Sequence, residues 1–312
     1  MTLPTVFHIG YHKTASSFIQ RGLFEAHADR FHRVPQREIF HRLIYPSDLV
    51  WSVEDGRRFV AEQEQLAANR LLVFSNERLT GGPHYGAQDA VSLMNRLWEI
   101  APDASILLVI REQASMIRSM YAQFVRAFGV CALAEYLDSS YTKHCKETFD
   151  PCSLEYHRLV AAYINRFGRE SVHVLPFELL VSDREIFRRR VLEACGIKSD
   201  EQKGLTWTMP DKANVRSSAL QVAFLRRLNP LIRPSIPHVG ATYYSRPASL
   251  IARAVVKIAG SSVFSALNRR LERRQTDYVK QFVGDRYAES NAILHELTGL
   301  DLAAMGYRLA DQ

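Results

Sequence analysis

Three short, continuous apolar runs stand out along the chain: residues 5–9 (TVFHI), 70–74 (RLLVF) and 105–110 (SILLVI). Runs of this length without alternation suit strands buried on both faces, where neither set of side chains meets water. A weaker run, residues 171–176 (SVHVLP), ends in the same manner. Polar residues follow each run, and helical spacing follows them. Phe18, Ile19, Leu23 and Phe24 share one apolar face after the first run; Met116, Ile117, Met120, Tyr121, Phe124 and Phe128 share one after the third. Strand, short loop and helix in repetition predict an α/β fold, a parallel β-sheet flanked by helices on both faces. Such sheets bind ligands beyond the carboxyl ends of their strands, so the residues just after each run are the ones to search for chemistry.

Composition narrows the class. With 312 residues, 47% hydrophobic and 23% charged, and no repeat, the chain reads as one globular domain over 1–312. Residues 203–249 differ, carrying Pro210, Pro230, Pro234, Pro237 and Pro247 among basic and aromatic residues. They read as loops and short helices over the sheet, within a loop- and helix-rich cap or ligand-side region at about 203–270. From about 275 to 307 the pattern is helical, and it closes in GLDLAAMGY.

The balance of 40 basic against 33 acidic residues, +7 in all, is mild for a nucleic-acid binder but suits a site for a ligand with several phosphates. No nucleic-acid partner is expected, and the arginines at 188–190 and 269–274 read as solvated helix faces. Four scattered cysteines without CxxC or zinc spacing fit a reducing, cytoplasmic setting. Residues 1–4 lead directly into the first run without signal-peptide features. No stretch reaches the ~20 apolar residues of a spanning helix. Residues 251–264, with cationic flanks, fit a peripheral membrane contact, a partner subunit or a buried helix.

The first run continues as His8-Ile9-Gly10-Tyr11-His12-Lys13-Thr14-Ala15-Ser16-Ser17. A glycine, a lysine and hydroxyls ahead of a helix are the components of a phosphate cradle. Only Tyr11 and His12 separate Gly10 from Lys13, too short a loop for the Walker pattern of a nucleoside triphosphatase. The third run ends in Arg111, with Ser119 eight residues on, about two turns into the following helix. A guanidinium fork there suits a terminal phosphate; the structural alternative pairs Arg111 with Glu112 and leaves Ser119 lining a packed helix.

Together these stretches resemble the sulfotransferases that use 3′-phosphoadenosine-5′-phosphosulfate (PAPS), in their bacterial form. HIGYHKTASSFIQ is similar to the family's 5′-phosphosulfate loop, G-x-x-[KR]-[ST]-G-[ST]-[ST]-x-[LI]. Arg111 and Ser119 match its 3′-phosphate motif with the same spacing. Tyr287, Asn291, Leu294 and the GLDLAAMGY ending resemble its bacterial members. The resemblance implies a P-loop-like fold and in-line sulfuryl transfer from PAPS to an acceptor hydroxyl or amine, releasing adenosine 3′,5′-bisphosphate. It implies a small-molecule or glycan acceptor, with carbohydrate ahead of a lipid or phenol. No metal is expected, since sulfuryl carries one negative charge fewer than phosphoryl.

The resemblance also implies roles. Lys13 would bridge the 5′-phosphate and the departing oxygen. Thr14, Ser16 and Ser17 would hold that phosphate, with Gly10, His12 and Ala15 completing the loop. Arg111 and Ser119 would take the 3′-phosphate, and Arg216 with Ser217 would close over the nucleotide. Glycine is usual where Ala15 stands; a left-handed backbone would strain alanine, so a slightly altered loop is expected. Glu77, just after the second run, is the candidate base for the acceptor proton. His84 is the alternative base, and an ion pair of Glu77 with Arg78 or Arg111 is the structural alternative. Trp207, His238, Tyr243, Tyr244 and Arg246 would line an acceptor pocket or serve as core and rim. A P-loop-like small-molecule kinase and a non-catalytic nucleotide-binding protein are the other readings.

Overall fold

The apolar runs form the middle of an all-parallel sheet. Its strands are β1 (Val6–His8), β2 (Phe31–Arg33), β3 (Leu71–Ser75), β4 (Ser105–Ile110) and β5 (Val172–Pro176), in the order β2-β3-β1-β4-β5. The helices are α1 (Ser16–Ile19), α2 (Gln36–Ile39), α3 (Val53–Ala67), α4 (Ala90–Ile100), α5 (Gln113–Arg126), α6 (Leu133–Leu137) and α7 (Tyr156–Phe167). They continue with α8 (Phe177–Ser182), α9 (Arg184–Ala194), α10 (Ala219–Ile232), α11 (Arg246–Ala259), α12 (Ser265–Val283) and α13 (Ala288–Thr298). This computed structural model describes residues 5–84, 86–138, 149–208, 217–232 and 245–310.

Register follows from side-chain alternation. Val6 lies opposite Val73 and Ser105, and His8 opposite Ser75 and Leu107. Val6, Val73, Leu107 and Val109 therefore share one face of the sheet. They pack there with Ile19, Leu23 and Phe24 after β1 and with Phe187, Val191 and Leu192 of α9. Phe7 and Phe74 project to the other face, their rings 5.3 Å apart, and Phe59 of α3 closes on Phe74 at 5.8 Å. Burying one such side chain stabilises the fold by about 1.5–3 kcal/mol, so the unalternating runs pin the sheet's centre. β2 is the strand the pattern misses: in its three residues only Phe31 is buried, so no apolar run marks it. α3 starts where its sequence says it should, with the Ser52 side chain accepting from Asp55 N and acids in the first turn.

The chain divides into two compact units. One holds the sheet and comprises Met1–Glu112, Asp150–Ala213 and Tyr287–Gln312; the other comprises Gln113–Phe149 and Asn214–Arg286. In the second, α10 packs against α5, α11 and α12. Buried Asn229 donates to the carbonyls of Val125 (2.7 Å) and Gly129 (2.8 Å), tying α10 to the end of α5. Within 203–249, expected to hold loops and short helices, the described residues include α10, of 14 residues, and the start of α11, which also has 14; α12, of 19, lies beyond. The prolines do not prevent this. Pro247 sits in the first turn of α11 and Pro230 near the end of α10, where a missing N–H or a local bend is tolerated. The predicted helix over 275–307 is likewise two helices, broken where Gly284 takes φ +41°.

Candidate functional site

β1 delivers its loop to the carboxyl end of the sheet. The chain stays bonded to β4 past the strand, through Ile9 N to Leu107 O (2.9 Å) and Tyr11 N to Val109 O (3.1 Å). It then turns sharply at Lys13 (φ +67°) and Ala15 (φ +65°). Gly10 is not the residue that takes the left-handed bend. Its role is close approach: a Cβ there would stand 3.1 Å from Thr14 Oγ1 and 3.3 Å from His8 Nε2. The expectation of an altered loop at Ala15 is corrected, since the alanine keeps the left-handed backbone. Because that region costs a non-glycine residue roughly 1–2 kcal/mol, Ala15→Gly is expected to stabilise the protein. Part of the relief is lost to the glycine's greater freedom when unfolded, leaving a net gain of about 0.5–1 kcal/mol, read as a rise in denaturation midpoint.

The loop's polar groups divide into two sets. The Thr14 hydroxyl, fully buried, donates to the Tyr11 carbonyl and shapes the turn. Beneath it, His8 Nδ1 and Gln20 Nε2 both meet Ser75 Oγ, at 2.7 and 2.9 Å, so these residues brace the strand ends. The second set has no such partners. Both ring nitrogens of His12, the hydroxyl of Ser16 and one terminal nitrogen of Arg78 are buried without a hydrogen-bond partner among the described residues. Ser17 is exposed beside them. A buried polar atom left unpaired costs about 1–3 kcal/mol, so several between the loop after β1 and the turn after β3 make this a candidate ligand site. Burial, then the charges of His84, Arg78 and Lys13, push the His12 pKa down to about 3. His12 is thus a neutral imidazole beside Arg78 and Lys13, able to donate one hydrogen bond and accept another.

Arg111, at the end of β4, reaches the same loop. Its guanidinium donates to the Lys13 carbonyl at 3.0 Å and lies 4.4 Å over the Phe177 ring. Its own carbonyl accepts from the Tyr156 hydroxyl at 2.6 Å. Next to it, Glu178 accepts from Glu112 N and from the Tyr307 hydroxyl, both at 3.0 Å. This explains the GLDLAAMGY ending, whose tyrosine buttresses the strand that carries Arg111. Tyr287 and Asn291 are structural in the same sense, donating to the carbonyls of Pro151 and Arg308.

Glu77 opens a 3₁₀ turn after β3, with the Asn76 side chain accepting from Arg78 N at 2.9 Å. The anticipated ion pair of Arg78 with Glu77 does not form. Arg78 instead donates to Asp89 at 2.9 Å, and Asp89 also accepts from Gly82 N. Among the described residues no ion pair holds the Glu77 carboxylate. His84 lies half-buried in the loop that Asp89 closes, near enough to His12 for its charge to be felt there. Arg78, three residues past the buried strand β3, is the polar residue here that the sequence pattern leaves unmarked.

In the other unit, Ser119 is half-buried on the second turn of α5, and Ser217 is half-buried just ahead of α10. Arg216, His238, Tyr243 and Tyr244 lie outside the described residues, and Arg246 opens α11. Trp207 is core. Its ring packs on Phe18 at 4.5 Å, and its indole N–H donates to the Arg184 carbonyl.

The profile of the group described as "Sulfotransferase family" matches residues 4–201. Among solved structures, a sulfotransferase from Alicyclobacillus acidocaldarius is 19% identical over 67% of this chain and 87% of its own, with a TM-score of 0.49. The sulfotransferase domain from the curacin biosynthetic pathway is 10% identical over 82% of this chain and 98% of its own, with a TM-score of 0.36. No curated protein matches the chain.

Proposed function

Because the chain belongs to the sulfotransferase family, we propose that it transfers the sulfuryl group of PAPS to an acceptor hydroxyl or amine. The observation that carries this reading is the set of buried, unpartnered polar atoms on His12, Ser16 and Arg78, close to the charge of Lys13, at the sheet's carboxyl end. These groups fit a phosphosulfate: they offer hydrogen bonds and positive charge to its oxygens. PAPS, when bound, supplies the activated sulfuryl group. In this proposal Lys13 neutralises the charge that develops on the leaving oxygen. His12, Ser16, Ser17 and Arg78 hold the 5′-side oxygens, and Arg111 takes the 3′-phosphate. Glu77 accepts the acceptor's proton, with His84 as the competing base. Lysine and arginine carry the charge neutralisation, so no metal enters the scheme. Carbohydrate hydroxyls are the acceptors to screen first.

The test is a thermal shift with adenosine 3′,5′-bisphosphate in a chelator, beside ATP with Mg²⁺. At ~100 times its dissociation constant a ligand adds about 2.7 kcal/mol, which moves the melting point by several degrees. Stabilisation by the bisphosphate without metal, weakened at least tenfold in affinity by Arg111→Ala, is the expected result. A response to ATP with Mg²⁺ alone would replace this reading with a kinase.

A further inference from the structure

α11 is too apolar for the strip it buries. Within its unit it packs on α10 through small residues, Ala252 and Ala259, and through the Val256 carbonyl, which accepts from Gln221 Nε2 at 3.0 Å. Its larger side chains face the other way: Leu250 is 64% exposed, Ile251 62% and Ile258 60%. Val263, in the turn that follows, is 84% exposed. The reading of this stretch as a buried helix is therefore corrected. Leu250, Ala254, Ile258 and Ile251 fall on one exposed arc at 100° per residue, and Arg253 and Lys257 stand along its edge.

Charge decides what covers that arc. Residues 246–274 hold seven arginines and lysines against one acid, Glu272, so this stretch supplies +6 of the chain's +7. Arg269, Arg270, Arg273 and Arg274 are exposed on α12, which continues from α11 at a 63° bend. A second copy seated on the arc by a two-fold axis would bring two copies of this cationic stretch together, which repel. An anionic bilayer meets both features at once, taking the isoleucines below its headgroups and the cations at their level. No single described helix is long and apolar enough to cross a membrane; α11 and α12 pass that test only as a bent pair, and the exposed arginines along α12 favour lying on the surface.

We propose that α11 and its cationic neighbours dock this protein onto an anionic phospholipid surface. The docking is independent of the catalytic proposal, since none of these residues belongs to the loop after β1. The experiment is co-sedimentation of the full chain with vesicles of phosphatidylcholine, of phosphatidylglycerol, and of the two mixed equally. The expected result is binding that rises with phosphatidylglycerol and falls with salt. Ile251→Ser and Ile258→Ser should each weaken it about tenfold, and Arg253→Glu and Lys257→Glu about fivefold per charge removed. The two sets act at exposed positions and serve as independent variants should either unfold. Equal binding to all vesicles, absence of binding to phosphatidylglycerol, or variants that bind like the parent would overturn the proposal. A concentration-dependent dimer abolished by Ile251→Ser would do so as well, and would assign the face to a second copy.

Discussion

Replacing Lys13 with alanine should lower turnover by about 10²–10³ while leaving the melting point within a degree or so of the parent. The backbone at Lys13 is set by features the substitution leaves in place. Its carbonyl accepts from Arg111, and the turn is fixed by the contacts of Gly10 and by Thr14 donating to Tyr11. Alanine occupies the φ of +67° as readily or as poorly as lysine does, so the backbone term cancels. What disappears is one positive charge among the groups around His12. In the proposed reaction that charge matters most as the sulfur–oxygen bond opens and negative charge gathers on the leaving oxygen. The loss should therefore appear in kcat more than in donor affinity, because Arg111, Arg78 and the loop's hydrogen-bond donors remain. Turnover is read as release of adenosine 3′,5′-bisphosphate from PAPS in the presence of a productive acceptor. Near-parental kcat with intact fold would remove Lys13 from the chemistry and the loop assignment with it.

The parts of this architecture legible in the sequence are those where one physical demand dominates. β3 and β4 are buried on both faces, and a continuous apolar run is the plain consequence of that. β2 needs only Phe31 buried and therefore leaves no run to read. α10 and α11 were obscured by proline, which breaks helices in their interior but not in a first turn or close to the end. At the site, Gly10, Lys13 and Arg111 are readable as types in sequence order. Which residue bends is not readable, because the left-handed turns fall on Lys13 and Ala15 rather than on glycine. Arg78 was hidden for a different reason. Its partner is settled by Asp89 folding the 81–89 loop back onto it, a closure that no local pattern announces. His12 likewise shows its character only when burial and three neighbouring charges are seen together.

Glu77→Gln is the substitution that separates chemistry from scaffold on the other side of the site. The glutamine keeps the size of the side chain and a hydrogen-bonding oxygen but cannot take a proton at neutral pH. The turn that presents it is held from elsewhere, by Asn76 capping Arg78 N and by the Thr80 hydroxyl donating to the Glu77 carbonyl at 2.9 Å. Arg78 is held by Asp89 and does not depend on the Glu77 charge. Folding and donor binding should thus be nearly untouched, with affinity for adenosine 3′,5′-bisphosphate unchanged within error. Turnover, if Glu77 takes the acceptor proton as it attacks, should fall by about 10²–10⁴. The same measurement on His84→Gln decides between the two bases. A larger fall there, with Glu77→Gln close to parental, would move the base to the loop that Asp89 closes. A collapse of donor affinity in Glu77→Gln would instead make its carboxylate part of the frame that holds Arg78 and the 3₁₀ turn in place.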